Sequence, residues 1–225
     1  MERKDVILFH DITLDSGFQT PGALKYKITS KMFWRIIEVF KDLDITKRPI
    51  ITFDDGGNSV NMKLLEQIIP YFKIVLFIPT NYIGRVGFLS ENEISELHEM
   101  GVVIGSHSHY HNDGREMDAL SFKADWNYSK QILEDITESK IDCCSIPYGK
   151  YSFDQLGVLL RLGFENIFTS DNDPHLIDST LGIESISRLS IDSRFWALEI
   201  YFLKVLGISY LRFRSRLIKI LLRCL

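Results

Sequence analysis

The sequence predicts a parallel α/β barrel of seven strands in a single domain, closed by a basic amphipathic helix at the C-terminus. Three observations lead there. Short apolar runs rich in Val, Ile and Phe alternate with helix-length amphipathic segments, the pattern of a parallel sheet with crossover helices. The 225 residues, 45% of them hydrophobic, suffice to bury one large core. Finally, the most reactive polar residues fall just past the apolar runs, where a closed barrel gathers its strand ends into one rim.

The strands are expected at VILFH (6–10), PIITF (49–53), KIVLFI (73–78), VVIG (102–105), CCSI (143–146), NIFTS (166–170) and ISRLSI (186–191). Between them, helices are expected near 30–43, 59–70, 90–100, 119–139, 153–162 and 194–225. Ser90 followed by Glu93 predicts a capping box, and Gly101 a stop just past the end of the same helix. Residues 1–200 form the barrel domain in this reading, and residues 201–225 a terminal helix that is part of it or a membrane-surface anchor.

The net charge of −4 is unevenly spread. Residues 200–225 hold Lys204, Arg212, Arg214, Arg216, Lys219 and Arg223 and no acid, leaving 20 basic against 30 acidic side chains elsewhere. An acidic body argues against a nucleic-acid binder, which needs a basic stripe. In the tail, Arg212, Arg216, Lys219 and Arg223 share one helical face and Leu217, Ile218, Ile220, Leu221 and Leu225 cover the rest. Such a helix suits either a membrane surface or packing on the barrel with solvated arginines. MERKD runs directly into VILF, too short for a secretory leader, and the expected location is cytoplasmic, either free or peripheral at the inner face of the membrane. Cys143, Cys144 and Cys224, an odd number with two adjacent, suit buried reduced thiols better than disulfides.

His10 and Asp11 follow the first run, Asp54 and Asp55 the second, the cluster His107, His109 and His111 the fourth, and Pro147-Tyr148-Gly149 the fifth. Adjacent carboxylates leaving a buried strand repel unless paired, and the two glycines after Asp55 permit a tight turn beside a ligand. With histidines on the same rim, a metal explains the pair: neighbouring side chains point apart, so one carboxylate binds while the other stays free as a base. Spaced by two on a strand, all three histidines would point the same way, whereas on a turn only His107 and His111 would.

TFDDG at 52–56, HSHYH at 107–111 and PYG at 147–149, with IPTNYIGRVGFLS (78–90) between, resemble the motifs of the NodB-homology polysaccharide deacetylases, the family 4 carbohydrate esterases. The likeness covers roughly residues 5–192 and implies a distorted (β/α)7 TIM-like barrel. It implies that Asp55, His107 and His111 hold one divalent metal ion, usually Zn2+, and that Asp54 is the general base, with His109 a bystander; the chain is then expected to turn helically soon after Gly105, bringing His107 and His111 together. The implied reaction is hydrolysis of an N-linked acetyl group on an N-acetylated glycan, with the Tyr148 N–H on the oxyanion. The family's acid comes from an L-x-H motif near the C-terminus, and none exists here, but Leu8-Phe9-His10 fits it. VILFHDI is similar to the opening strand of members that resemble circular permutants, which makes His10 the general acid.

The family often has an Arg two residues before the Pro of PYG, where this chain has Ser145, and Arg188 is the candidate replacement. Asp192 and Trp196 are candidates by residue type for positioning the acid, although Trp196 is better expected as a core aromatic, and Asp171 and Asp173 as turn residues. Three alternatives remain. The same residues would suit a deformylase or other N-deacylase of a lipid-linked amino sugar; the missing Arg would suit a non-catalytic glycan-binding relative; and an H-x-H metallohydrolase would use His107 with His109.

Overall fold

A computed structural model describes residues 4–13, 26–171 and 173–223, with side chains to residue 218 in the last segment. In chain order the elements are β1 Val6–Phe9, β2 Ile12–Thr13, β3 Ile28–Thr29, α1 Ser30–Lys41, β4 Ile50–Phe53, α2 Met62–Leu65, β5 Ile74–Ile78, α3 Glu91–Glu99, β6 Val103–Ser106, α4 Ala119–Thr137, β7 Cys143–Ser145, α5 Phe153–Arg161, β8 Asn166–Thr169, β9 Leu176–Asp178, β10 Ile183–Glu184, β11 Ile186–Ser187, β12 Leu189–Ser190, α6 Ala197–Leu206 and α7 Ile208–Arg223.

The main sheet runs β11-β8-β7-β6-β5-β4-β1-β12, all neighbours parallel. Its two ends are one stretch of chain: β11 pairs with β8, β12 pairs with β1, and only Arg188 separates them. The seven expected strands therefore close the barrel, the seventh changing partner at Arg188. Inside it, Val6, Val75, Phe77, Cys143 and Phe168 form a separate cluster with Ile50, Val103 and Ile186 packed on it. These residues come from all seven staves, and only the barrel lumen lets such positions meet. Gly105 is required here, because a Cβ on it would lie 2.6 Å from the Phe77 ring and 2.8 Å from the Cys143 sulfur.

The larger core lies between barrel and helices, with α1 contributing Phe33, Ile36, Ile37 and Phe40 and α4 contributing Phe122, Trp126 and Leu133. The Ser90–Glu93 capping box is present, and Gly101 takes a positive φ of 93° just past α3. Cys143 and Cys144 are buried free thiols, and burial pushes Cys143 up to about 12; Cys224 lies outside the described residues.

Three expectations need correction. The helix expected over 59–70 contracts to α2, because Asn61 caps it and turns take over after Leu65. The terminal helix expected over 194–225 is two helices, broken at Gly207, whose φ of 61° and ψ of −155° no helix accommodates. Trp196 is not a core aromatic: it is the N-cap of α6 and 72% exposed. The tail packs on the barrel through Leu203, Ile208 and Leu211, and Arg214 is buried with its Nε on Glu199. Arg212 pairs with Asp5 and Arg216 with Asp173.

Candidate metal centre and active site

Asp54 leaves β4 with its backbone N–H bonded to the Phe9 carbonyl, which seats it at the rim beside β1. It is buried, and its carboxylate is held from two sides. Arg188 Nη1 donates to one oxygen at 2.7 Å and Nη2 to the other at 2.9 Å. Ser145 Oγ donates to the second oxygen at 3.2 Å while accepting from Arg188 Nη2 at 2.7 Å. Arg188 Nε is spent on the Thr169 carbonyl, so the fork is fixed in aim. Burial alone would raise the Asp54 pKa, but the Arg188 charge and His107 outweigh it, and the carboxyl sits below its usual value. Ser145 therefore completes the clamp on Asp54, and the cation comes from across the barrel.

Asp55 follows in the left-handed region, with φ of 73°, and is not part of the Arg188–Ser145 clamp, while His107 Nε2 lies between the two carboxylates, 3.7 Å from Asp54 Oδ2. Its Oδ1 lies 3.2 Å from His111 Nε2 and 3.6 Å from His107 Nε2. Offered together, the ligand atoms of Asp55, His107 and His111 lie within 4.8 Å of one another. The protonation pattern suits a metal. His107 Nδ1 is 2.7 Å from the Ser145 carbonyl, which fixes its proton there and turns the Nε2 lone pair toward Asp55. Burial, only partly opposed by Asp54, lowers the His107 pKa to about 4, so the imidazole is neutral at neutral pH. Two imidazoles, that of His107 held neutral, and a carboxylate fit a divalent metal ion.

The expected helical turn through 107–111 is absent. β6 ends at Ser106, and the chain bends through Ser108 (φ 64°) and His111 (φ 58°), both left-handed. Ser108 Oγ accepts from the His111 N–H, and Asp125 of α4 accepts from the N–H groups of His109 and Tyr110. These kinks bring the rings of His107 and His111 to 4.8 Å and send His109 elsewhere, its Nδ1 2.7 Å from Thr80 Oγ1.

Tyr148 is also left-handed (φ 59°), its hydroxyl 3.2 Å from His111 Nδ1. The N–H groups of Gly149 and Lys150 bond back to Ile146 and Pro147, whereas that of Tyr148 meets no backbone acceptor among the described residues. Four of the five left-handed non-glycine residues described, Asp55, Ser108, His111 and Tyr148, thus belong to this site, where strain is commonly stored.

His10 lines the same pocket, of about 410 Å³, with its ring stacked on Tyr26 at 4.6 Å. Asp192 lines it too, but is held by Arg194 and approached by Arg214 at 3.9 Å. Asp171 accepts from Tyr151 Oη and also lines the pocket, while Asp173 pairs with Arg216. Sequence reasoning missed Asp125, and it missed that Arg194, Arg214, Ser215 and Ile218 line the pocket. No local spacing announces either: Asp125 acts from mid-helix, and the lining depends on how α7 docks.

Residues 41–167 match the family model described as polysaccharide deacetylase. The chain belongs to the polysaccharide deacetylase family. Its members are hydrolases of carbon–nitrogen bonds other than peptide bonds, and this protein is one. A relative, YxkH of Bacillus subtilis (strain 168), which bears a polysaccharide deacetylase name, is 22% identical over 201 residues, covering 83% of this chain and 70% of its own. The Streptococcus pyogenes deacetylase PplD, solved with acetate, superposes with a TM-score of 0.70 at 18% identity, over 85% of this chain and 93% of that one. A de-N-acetylase from Aggregatibacter actinomycetemcomitans gives 0.71 at 14% identity, over 88% and 98%. The polysaccharide deacetylases thus share this barrel.

Proposed function

We propose that the protein removes the N-linked acetyl group from an N-acetylated sugar of a polysaccharide or lipid-linked glycan, releasing acetate and a free amine. The observation that carries this reading is the division of labour between adjacent carboxylates: Asp54 is clamped by Arg188 and Ser145, while Asp55 turns to His107 and His111. A zinc ion held by Asp55, His107 and His111 would supply Lewis acidity, making water easier to deprotonate and a carbonyl easier to attack. Asp54, ionised and anchored, accepts the proton of the attacking water as its oxygen bonds to the acetamide carbon. The Tyr148 N–H donates to the oxyanion that develops. His10, which lines the same pocket, protonates the departing sugar nitrogen as the carbon–nitrogen bond breaks.

The test is acetate release by the metal-loaded protein from N-acetylglucosamine oligomers and from a lipid-linked acetamido sugar. Asp54→Asn is expected to keep its metal and lose turnover by about 10²–10⁴-fold. Turnover near that of the parent would remove Asp54 from the role of base.

A further inference from the structure

The tail carries an apolar surface that the deacetylase reading does not use. On α6, Leu198, Tyr201, Phe202, Val205 and Leu206 recur at the spacing of one helical stripe, and that stripe faces outward. Leu198, Tyr201, Val205 and Leu206 are between 55% and 67% exposed. The inner side of the helix is supplied by Leu203, fully buried, and by Glu199, which is held by Arg214 and Tyr210. Trp196 at the start of α6 and Phe213 and Leu217 on α7 are exposed as well. An apolar patch of this kind marks a contact surface.

Its charge says which kind. Residues 200–225 contain six basic side chains and no acid. Lys204 is exposed on α6, and Arg212 and Arg216 are exposed beside Phe213 and Leu217 on α7. Both arginines stay more than half exposed while pairing with Asp5 and Asp173, and the Arg216–Asp173 pair faces solvent, where such pairs are weak. Bulky aromatic and aliphatic groups among cations, in a stretch that itself carries no acid from residue 200 onward, match the interface of an anionic bilayer. No described helix is long and apolar enough to cross a membrane, so the contact is one of lying on the surface.

We infer that α6 and α7 together dock the protein on an anionic membrane surface, with the outward stripe of α6 entering the interface. The patch adjoins the pocket: Arg194, two residues before Trp196, and Arg214, Ser215 and Ile218 of α7 line the pocket wall. On the proposed deacetylase reading, a glycan carried by a lipid would then be presented beside that wall.

The experiment is co-sedimentation of the full, metal-loaded chain with phosphatidylcholine vesicles, with and without about 30% phosphatidylglycerol. Binding is expected to the anionic vesicles and much less to the neutral ones. Leu198→Ser combined with Val205→Ser, both exposed and therefore tolerated by the fold, should weaken it about tenfold or more with an unchanged melting curve. Phe213→Ser with Leu217→Ser is a second, independent variant. Failure to bind anionic vesicles, equal binding to neutral ones, or full binding by both variants would overturn the inference. So would a dimer that the same substitutions dissociate in the absence of vesicle capture. Vesicle binding is read without turnover, so its failure is distinct from failure to release acetate.

Discussion

Arg188 sits between two short strands and reaches Asp54 across 134 residues of sequence. A buried carboxylate with no partner would protonate, and a guanidinium fork keeps it charged while fixing its direction. Arg188→Lys keeps a cation but loses the fork, so the Asp54 pKa should rise. A base with a raised pKa is protonated at higher pH, and the acid limb of the kcat/KM profile should therefore move upward, measured on soluble acetamido-sugar oligomers. An unmoved limb would show that Asp54 does not set it. For His10, stacked on Tyr26 at the pocket wall, His10→Ala should lower kcat by about 10²–10⁴-fold while leaving metal content intact. The carboxylates and histidines were legible in the sequence because each motif is local. The Asp54 clamp was legible only in part, since Ser145 reads as a gap until the barrel closes and places its hydroxyl between Asp54 and Arg188.

At the scale of elements, the end of β6 decides which histidines cooperate. A continued strand would have aligned three imidazoles, and left-handed kinks at Ser108 and His111 select two. Those conformations cost free energy in non-glycine residues, and Asp125 of α4 helps to hold them through the N–H groups of His109 and Tyr110. Asp125→Leu is expected to loosen the loop and weaken metal affinity about 10–100-fold, the usual effect of removing an outer support. Competition against a chromogenic chelator would measure it, and parental affinity would mean that the loop holds itself. Strands and the α3 cap were legible because apolar runs and the Ser90–Glu93 pair are short-range signals. The kinks were not, because Ser and His carry no preference strong enough to announce φ near 60°. The break at Gly207 was missed for a related reason: apolar residues continue on both sides, and periodicity alone reads through a glycine.

The whole molecule couples the candidate metal site to stability, because the residues proposed as ligands follow β4 and β6 and their supports come from β7, α4 and the seventh stave. The His107 imidazole is buried neutral, with its pKa lowered from 6.5 to about 4. The unfolded chain therefore takes up a proton first as pH falls. Stability from this group is full above about pH 6.5 and is lost progressively toward about pH 4, on the order of 3 kcal/mol at most. A metal ion in the proposed site would oppose this loss, since it would bind the folded chain and need the same lone pair. At a free metal concentration of 100 Kd, binding adds about 2.7 kcal/mol, which in a chain of this size raises Tm by about 5–10 °C. Differential scanning fluorimetry with zinc and with EDTA at pH 7.5 should show that rise. His111→Ala should abolish it, because Asp55 and His107 alone offer only two protein ligands. His109→Ala should retain it, because that ring faces Thr80 rather than Asp55. If His109→Ala lost the shift and His111→Ala kept it, the ligand set would be the alternate pair, and Asp55 would have to be reassigned with it.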